Sequence, residues 1–341
     1  MKKIRLGKTG IETIQNGFGA LPIQRISRED AADLLRSAYE AGFTYFDSAH
    51  AYTDSEEKIG YALSGVRDRI ILATKTHSQN AGTFWNELHE SLRRLKTDHI
   101  DVYQFHNPAF CPRPDDGTGL YEAALEAKQQ GKILHIGITN HRPGIAEEAV
   151  RSDLYETLQF PFCYLASERD MNIVKLCREH DMGFVAMKAL SGGLLTDAAA
   201  ASAWISQFDS VLPIWGVQRK SELDEFISFI HEPPVFSEER KERIEKDRRE
   251  LSGSFCRSCG YCMPCPQGIE IYQCARMSQL IRRSPSAPYL SPEWQEKMRR
   301  INSCLHCNQC SSRCPYELDT PALLQQNLED YERILSGETM I

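Results

Sequence analysis

Polar side chains lie at or near the ends of successive β-rich runs, and their types suit proton transfer. These residues are Asp47, Lys75, His106, Thr139, Asn140, Gln159 and Lys188. A single aspartate or lysine at a strand end is usually solvated or half of an ion pair. When successive parallel strands all end in such groups, their carboxyl ends converge on one mouth and the groups meet there. The ordered set therefore predicts a catalytic site.

A second chemistry is indicated by eight cysteines in two short runs, each followed by a proline. They are Cys256, Cys259, Cys262, Cys265, Cys304, Cys307, Cys310 and Cys314. The C-x2-C-x2-C-x3-C-P spacing of the second run is typical of bacterial ferredoxins with two [4Fe–4S] clusters, in which the fourth cysteine ligates the other cluster. That rule predicts two exchanged sets: Cys256, Cys259, Cys262 with Cys314, and Cys304, Cys307, Cys310 with Cys265. A zinc site or redox-active thiols are the alternatives.

The fold that would position the polar strand-end residues is predicted by an alternation of strands and helices. Eight short β-rich runs alternate with helix-like stretches over residues 1–235. This pattern predicts an α/β fold, a (β/α)8 TIM barrel. A doubly wound sheet would need a G-x-G-x-x-G turn after its first strand, and the sequence has none there. We predict that the barrel is followed by a helical connector (236–252), a small, mostly helical ferredoxin-like iron–sulfur domain (253–320) and a C-terminal helix (321–341).

Composition limits the classes of partner. The formal net charge of −7 over 341 residues gives no reason to expect nucleic acid binding. The opening MKKIRLGKTGI lacks the apolar stretch of a signal peptide, and no run reaches the roughly 18 apolar residues of a membrane span. We therefore expect a cytoplasmic protein with no membrane partner. In that compartment, clustered cysteines indicate metal or redox chemistry rather than disulfides.

Residues 1 to about 230 resemble the aldo-keto reductase family in an ordered set of motifs. IRLGKTGIETIQNGFGA resembles the family's N-terminal hairpin and first strand, and FDSAHAYTDSEEKIG matches its Asp-x-Ala-x-x-Tyr-x-x-Ser-Glu stretch, which adds Tyr52 to the candidates. The TK and YQFH runs supply Lys75 and His106. GKILHIGITNH resembles the family's Gly-Lys-Ile-x-x-Ile-Gly-x-Ser-Asn segment, with Thr139 in place of serine. The whole chain resembles the subgroup that carries a ferredoxin-like C-terminal domain.

The resemblance implies an oxidoreductase that reduces a small-molecule carbonyl with nicotinamide, or oxidises the alcohol. Tyr52 would donate a proton to the developing alkoxide, and the charge of Lys75 would make the phenol a better acid. Asp47 would hold Lys75 ionised and oriented, while His106 would position the carbonyl oxygen. The alternative is that Asp47 and Lys75 form a purely structural ion pair.

The resemblance also implies which residues hold NADP(H) or NAD(H). Asn140 and Gln159 stand at the positions that bind the nicotinamide carboxamide, with Thr139 beside them. Met187 replaces the aromatic platform that the family places under the nicotinamide ring, and Lys188 could reach the cofactor phosphates.

Two further segments are expected to approach the phosphates and the adenosine. They contain Gly192 and Gly193, and Gln218, Arg219 and Lys220. Glu222 favours a ribose hydroxyl, whereas Arg219 and Lys220 favour a phosphate. The choice between NAD and NADP stays open on these residues.

The role of the clusters stays open because the two cofactors transfer different numbers of electrons. Nicotinamide passes two electrons together as hydride, whereas a cluster passes one at a time. The clusters could exchange electrons with a ferredoxin or another carrier, sense redox state, or serve only the fold. An electron-transfer or redox-sensing protein whose barrel ignores nicotinamide is therefore the alternative function. A basic stretch could dock an acidic partner, although a solvated helical face explains it as well. Its residues are Arg276, Arg282, Arg283, Lys297, Arg299 and Arg300.

Overall fold

The chain divides into two compact units in a computed structural model that describes residues 2–251, 255–283 and 286–339. The barrel unit is formed by Met1–Ala189 and Ala198–Lys241, and the cysteine unit by Leu190–Asp197 and Glu242–Ile341. The predicted boundary at 252/253 lies outside the described residues, as do the last two residues of the predicted C-terminal helix. Within the described ranges, no helix is both long and apolar enough to cross a membrane.

The described part of the barrel unit contains ten strands. A short antiparallel hairpin comes first, formed by β1 (Lys3–Arg5) and β2 (Glu12–Ile14). The remaining strands are β3 (Gly17–Gly19), β4 (Tyr45–Asp47), β5 (Ile71–Thr76), β6 (Ile100–His106), β7 (Ile133–Thr139), β8 (Thr157–Pro161), β9 (Gly183–Met187) and β10 (Val211–Gly216). These eight are all parallel and close into a barrel in which β10 pairs with β3. The predicted (β/α)8 barrel is confirmed.

Helices follow the barrel strands in chain order. They are α1 (Arg28–Glu40), α2 (Ser55–Leu63), α3 (Ala81–Leu95), α4 (Leu120–Gln129), α5 (Pro143–Arg151), α6 (Glu168–Glu179), α7 (Ala198–Ile205) and α8 (Lys220–His231). Side chains fix several starts: Ser27 accepts a hydrogen bond from the Asp30 amide at α1, and Ser167 accepts one from the Asp170 amide at α6. Such caps satisfy amide groups that the first turn of a helix leaves unpaired.

Strand register brings the polar side chains to the same edge of the barrel. Lys75 of β5 lies opposite Gln104 of β6. His106 at the end of β6 lies opposite Thr139 of β7, which in turn lies opposite Gln159 of β8. Since parallel strands share one direction, these residues cluster at their carboxyl ends, where barrels of this type place their sites.

The core of the barrel is apolar. A buried cluster joins residues from the hairpin region and from several barrel strands: Ile4, Leu6, Tyr45, Ala73, Val102, Val185, Leu212 and Ile214. Met187, at the end of β9, packs against this cluster. Removal of this surface from water stabilises the barrel and leaves the polar groups on a rigid support.

The cysteine unit is mostly helical, as predicted. Its helices are the later part of α9 (Glu238–Glu250), then α10 (Ile271–Cys274), α11 (Met277–Arg283), α12 (Pro292–Arg299), α13 (Gln309–Ser312) and α14 (Thr320–Leu335). Helix α14 packs on the others through Asn327, whose amide donates to the Ala275 carbonyl and accepts from the Ser278 amide. The cysteines lie in the turns and short helices between these elements.

Candidate active site and cysteine sites

A buried ion pair forms the base of the candidate active site. Asp47 ends β4 and Lys75 lies in β5, with 2.6 Å between the Lys75 Nζ and the Asp47 Oδ1. Their side chains are only 4% and 1% exposed. Lys75 Nζ also donates to the Ser48 carbonyl. Burial lowers the pKa of Lys75, and the charge of Asp47 opposes that shift. Burial likewise raises the pKa of Asp47, and the charge of Lys75 opposes that shift, so each partner stabilises the charge of the other.

Tyr52 lies above this pair, in the loop between β4 and α2. Lys75 Nζ is 5.2 Å from the centre of its ring, and the His106 ring meets it edge-on at a centroid distance of 5.8 Å. The loop is fixed by hydrogen bonds from the Tyr52 amide to the Ala49 carbonyl and from the Ser55 amide to the Tyr52 carbonyl. All four residues predicted to carry out the chemistry thus meet at one place.

His106 has a neighbour that sequence reasoning missed. The rings of His77 and His106 stack with 4.0 Å between centroids and 7° between planes. Burial lowers the pKa of His106 well below 6.5, so this imidazole is neutral at neutral pH. Its Nδ1 is buried without a hydrogen-bond partner among the described residues. The available signal was the position of His77, directly after β5 and two residues from Lys75.

Two glutamines support Asp47 from neighbouring strands. Gln104 Nε2 and Gln159 Nε2 each lie 3.4 Å from a carboxylate oxygen of Asp47. The Oε1 atom of Gln159 is buried and has no hydrogen-bond partner within the described ranges. An unpaired buried acceptor is costly, so it fits a ligand that donates a hydrogen bond, such as a carboxamide.

The polar groups after β7 are largely engaged by the protein itself. Asn140 donates to the Pro108 carbonyl at 2.9 Å and accepts from the Arg142 amide at 2.8 Å. The Thr139 hydroxyl accepts from the Asn107 amide at 3.1 Å. These hydrogen bonds hold the loops at the barrel mouth. One N–H of the Asn140 side-chain amide remains for a ligand.

The residues expected near the cofactor phosphates fall into both units. Met187 and Lys188 belong to the barrel unit, and Lys188 has a left-handed backbone with a φ of 55°. Gly192 and Gly193 belong to the cysteine unit and have φ values of 65° and 89°. Glycine adopts such φ values without the steric cost that other residues carry.

The start of α8 carries mixed charge that is paired locally. Glu222 accepts hydrogen bonds from the amides of Gln218 and Arg219 and from the Arg219 guanidinium. Lys220 pairs with Asp224. Both basic side chains are exposed, and the buried Oε1 of Gln218 has no partner among the described residues. Glu222 therefore caps its own helix, and Gln218 presents an acceptor.

The two cysteine runs interleave around two cavities. The first cysteine cavity is lined by Cys256, Cys259, Cys262 and Cys314. The second cysteine cavity is lined by Cys265, Cys304, Cys307 and Cys310, with Cys262 also at its wall. The last cysteine of each run thus joins the cavity of the other run. Two sets of four thiols suit the thiolate ligation of two [4Fe–4S] clusters.

The two cavities differ in exposure. Cys256 and Cys262, at the first cysteine cavity, are buried. At the second cysteine cavity, Cys307 is exposed and Leu305 is 63% exposed. The second cysteine cavity is therefore the one nearer to solvent.

The predicted basic stretch does not form a free cationic surface. Arg276 is buried, and most of the others pair with acids of the cysteine unit. These pairs are Arg282 with Asp330, Arg283 with Asp247 and Glu250, Lys297 with Glu270 and Glu293, and Arg300 with Glu296. Local pairing leaves little unbalanced charge to attract an acidic partner.

Residues 13–210 match the aldo/keto reductase family. The chain belongs to this family. Residues 255–319, which contain all eight cysteines of the two runs, match the 4Fe-4S dicluster domain. The combination confirms the resemblance to reductases with an appended iron–sulfur domain, and the chain is an oxidoreductase.

Curated relatives of this reductase come from several organisms. The uncharacterized oxidoreductase YqkF of Bacillus subtilis is 31% identical over 211 residues, which cover 58% of this chain and 67% of the relative. The aldo-keto reductase YhdN of the same bacterium is 29% identical over 218 residues, covering 58% of this chain and 64% of the relative. The match thus spans about two thirds of the length of these relatives.

Solved structures support the same fold. The aldo-keto reductase AKR11C1 of Bacillus halodurans superimposes with a TM-score of 0.63 at 24% identity, covering 72% of this chain and 96% of that one. An aldo-keto reductase of Klebsiella pneumoniae, solved in complex with NADPH, gives a TM-score of 0.63 at 22% identity, covering 72% and 95%.

Proposed function

We propose that the barrel unit reduces the carbonyl group of a small molecule with NADPH or NADH, and oxidises the alcohol in reverse. The observation that carries this proposal is the convergence of Tyr52, Lys75 and His106 on a buried Asp47. Asp47 lies 2.6 Å from the Lys75 Nζ, which lies 5.2 Å from the Tyr52 ring. A proton donor, a cation and a neutral imidazole are what an oxygen atom needs as it gains negative charge.

Each side chain has one task in this proposal. The bound nicotinamide supplies the hydride. Tyr52 transfers its phenolic proton to the substrate oxygen, and the charge of Lys75 stabilises the phenolate that remains. Asp47 keeps Lys75 ionised in a site that would otherwise favour its neutral form. Neutral His106 donates a hydrogen bond that orients the carbonyl oxygen, and the stacked ring of His77 holds His106 in place.

The nicotinamide-binding residues form a second part of the proposal. Gln159 has an Oε1 without a partner among the described residues, which accepts from the carboxamide, and Asn140 has one remaining N–H. Thr139 holds the adjoining loop, and Met187 presents an apolar side chain to the ring. Lys188, Gly192, Gly193, Gln218, Arg219 and Lys220 remain candidates for the phosphates and the adenosine.

The cysteine unit is proposed to bind two [4Fe–4S] clusters with exchanged fourth ligands. The first cluster takes Cys256, Cys259, Cys262 and Cys314, and the second takes Cys265, Cys304, Cys307 and Cys310. The exposure of Cys307 and Leu305 favours the second cluster as the point where an external carrier exchanges electrons. A ferredoxin-coupled protein that does not use nicotinamide is therefore the second candidate function.

Anaerobic titration with NADPH and, separately, NADH distinguishes these functions. We expect one of the two to be oxidised only when a carbonyl compound is added, with the cluster absorbance unchanged. Cluster bleaching by the nicotinamide without a carbonyl would instead indicate an electron-transfer protein. If neither nicotinamide reacts, but reduced ferredoxin supports carbonyl reduction, the ferredoxin-coupled function is correct.

A further inference from the structure

Arg276 is an unusual residue of the cysteine unit because its charged side chain is almost completely buried. It connects α10 to α11 and is 1% exposed. Its Nη2 donates to the Gly192 carbonyl at 2.9 Å, and its buried Nε has no hydrogen-bond partner within the described ranges. No carboxylate lies within ion-pair distance of Arg276 among the described residues. A buried cation without a counterion is costly, so its presence requires a physical reason.

The surroundings of Arg276 place it beside the first cysteine cavity. The residue before it, Ala275, lines that cavity. A Cβ atom added to Gly192 would lie 3.1 Å from the Arg276 Nη1 and 3.7 Å from the carbonyl oxygen of Arg257, in the cysteine loop between Cys256 and Cys259. The guanidinium charge also acts on Cys256. Gly192 therefore lies against both the Arg276 guanidinium and the loop that supplies two ligands of the first cluster.

The missing counterion has the chemistry of the proposed cluster. A [4Fe–4S] cluster held by four thiolates is an anion, and one-electron reduction adds a further negative charge. Net charge, hydrogen bonding and solvent exposure set the potential of such clusters. A cation in a poorly solvated environment acts more strongly than one in water, so it favours the reduced, more negative form.

The second cysteine cavity lacks this feature. Its described lining includes polar residues, among them Gln267, Asn308 and Gln309, but no lysine or arginine. It is also nearer to solvent, as the exposed Cys307 shows. Among the described residues the two clusters therefore occupy different electrostatic environments: Arg257 lines the first cysteine cavity, and the buried guanidinium of Arg276 lies beside it.

We propose that Arg276 is the counterion of the first cluster, that it raises the reduction potential of that cluster, and that it holds Gly192, which lies against the cysteine loop. The proposal rests on the proposed [4Fe–4S] occupancy of the first cysteine cavity and is independent of carbonyl reduction in the barrel unit. Arg276 acts through its charge and its hydrogen bond and is a positioning residue, not a ligand.

Arg283 also binds the segment Leu190–Asp197, but its positive charge is neutralised by carboxylates. Its Nε donates to the Leu194 carbonyl at 2.8 Å, while Asp247 and Glu250 pair with its other nitrogens. Both arginines therefore bind carbonyls of the segment Leu190–Asp197. Of these two arginines, Arg283 alone has a carboxylate partner among the described residues, so the charge of Arg276 is left for another anion.

Potentiometric titration of the full-length protein, loaded with clusters and followed by electron paramagnetic resonance, tests the proposal. Mediators and dithionite supply one electron to each cluster. We expect Arg276→Gln to shift the midpoint of the first cluster to a more negative potential and to leave that of the second cluster unchanged. Arg276→Lys, which keeps the charge, should stay close to the original midpoint. Arg282→Gln is the matched control, since Arg282 lies on α11 and pairs with Asp330 near the surface.

Every outcome of this titration is informative. An unchanged midpoint in Arg276→Gln, with the iron content intact, would overturn the proposal. If Arg276→Gln does not load the first cluster whereas Arg276→Lys does, the required feature is the charge, as proposed. If neither variant loads it, the role of charge is refuted and Arg276 serves only the packing of the loop. Because no carbonyl is present, failure here is distinct from failure of the reductase function.

Discussion

Tyr52→Phe is expected to lower the rate of carbonyl reduction by about 10²- to 10⁴-fold, the usual contribution of a positioned general acid. The substitution removes only the phenolic proton donor and keeps the ring that lies near Lys75 and His106. Affinity for the nicotinamide and the iron content should stay close to those of the original protein. Steady-state rates with a panel of aldehydes and ketones measure the loss of activity, and fluorescence measures the affinity for the nicotinamide.

Tyr61→Phe is the matched control for this experiment. Tyr61 lies on α2, nine positions after Tyr52, and packs beneath Arg28 instead of facing the buried pair. Its variant should retain full activity. Equal rates for Tyr52→Phe and the original protein would show that proton donation comes from another group. Lys75→Met is a poorer test, because it leaves Asp47 buried without its cation and costs about 3–5 kcal/mol of stability.

The exchange of cluster ligands gives the second large effect. Cys314→Ala alone should remove about half of the iron, because one of two clusters loses a ligand. Combining it with Cys256→Ala should remove no more, since both residues line the first cysteine cavity. Combining it with Cys304→Ala, at the second cysteine cavity, should remove nearly all of the iron. Iron and sulfide analysis of anaerobically purified protein gives these values.

The reverse pattern would contradict the exchange. If each run held its own cluster, the Cys314 and Cys304 double variant would keep about half of the iron, and the Cys314 and Cys256 double variant would keep almost none. Cys274→Ala is the control, because this buried cysteine of α10 is absent from the described lining of both cysteine cavities. It should keep the full iron content.

Strand-end positions were sufficient to predict the centre of the candidate site. Asp47, Lys75 and His106 occur at the ends of β-rich runs in the sequence, and a closed parallel barrel brings such ends together. The partner of His106 was not predictable in the same way. His77 lies in a loop, and its stacking depends on a backbone path that no periodic pattern specifies.

The burial of individual side chains was harder to predict than the chemistry of the sites. Arg276 belongs to a basic stretch that suggested a solvated or docking face, yet it is 1% exposed. That position depends on how distant segments meet, which local sequence does not encode. The cysteine spacing did encode a distant relation, because the placement of Cys314 with Cys256 follows from the two-cluster rule.

The destination of the hydride distinguishes carbonyl reduction by nicotinamide from reduction through the clusters. The protein would be incubated anaerobically with a carbonyl substrate and NADPH or NADH carrying deuterium at both C4 positions. We predict that the alcohol carries one deuterium on the former carbonyl carbon, as measured by mass spectrometry, and that Tyr52→Phe slows its appearance. An alcohol that carries only solvent hydrogen at that carbon, formed while the clusters are oxidised, would show that the barrel does not transfer hydride from nicotinamide.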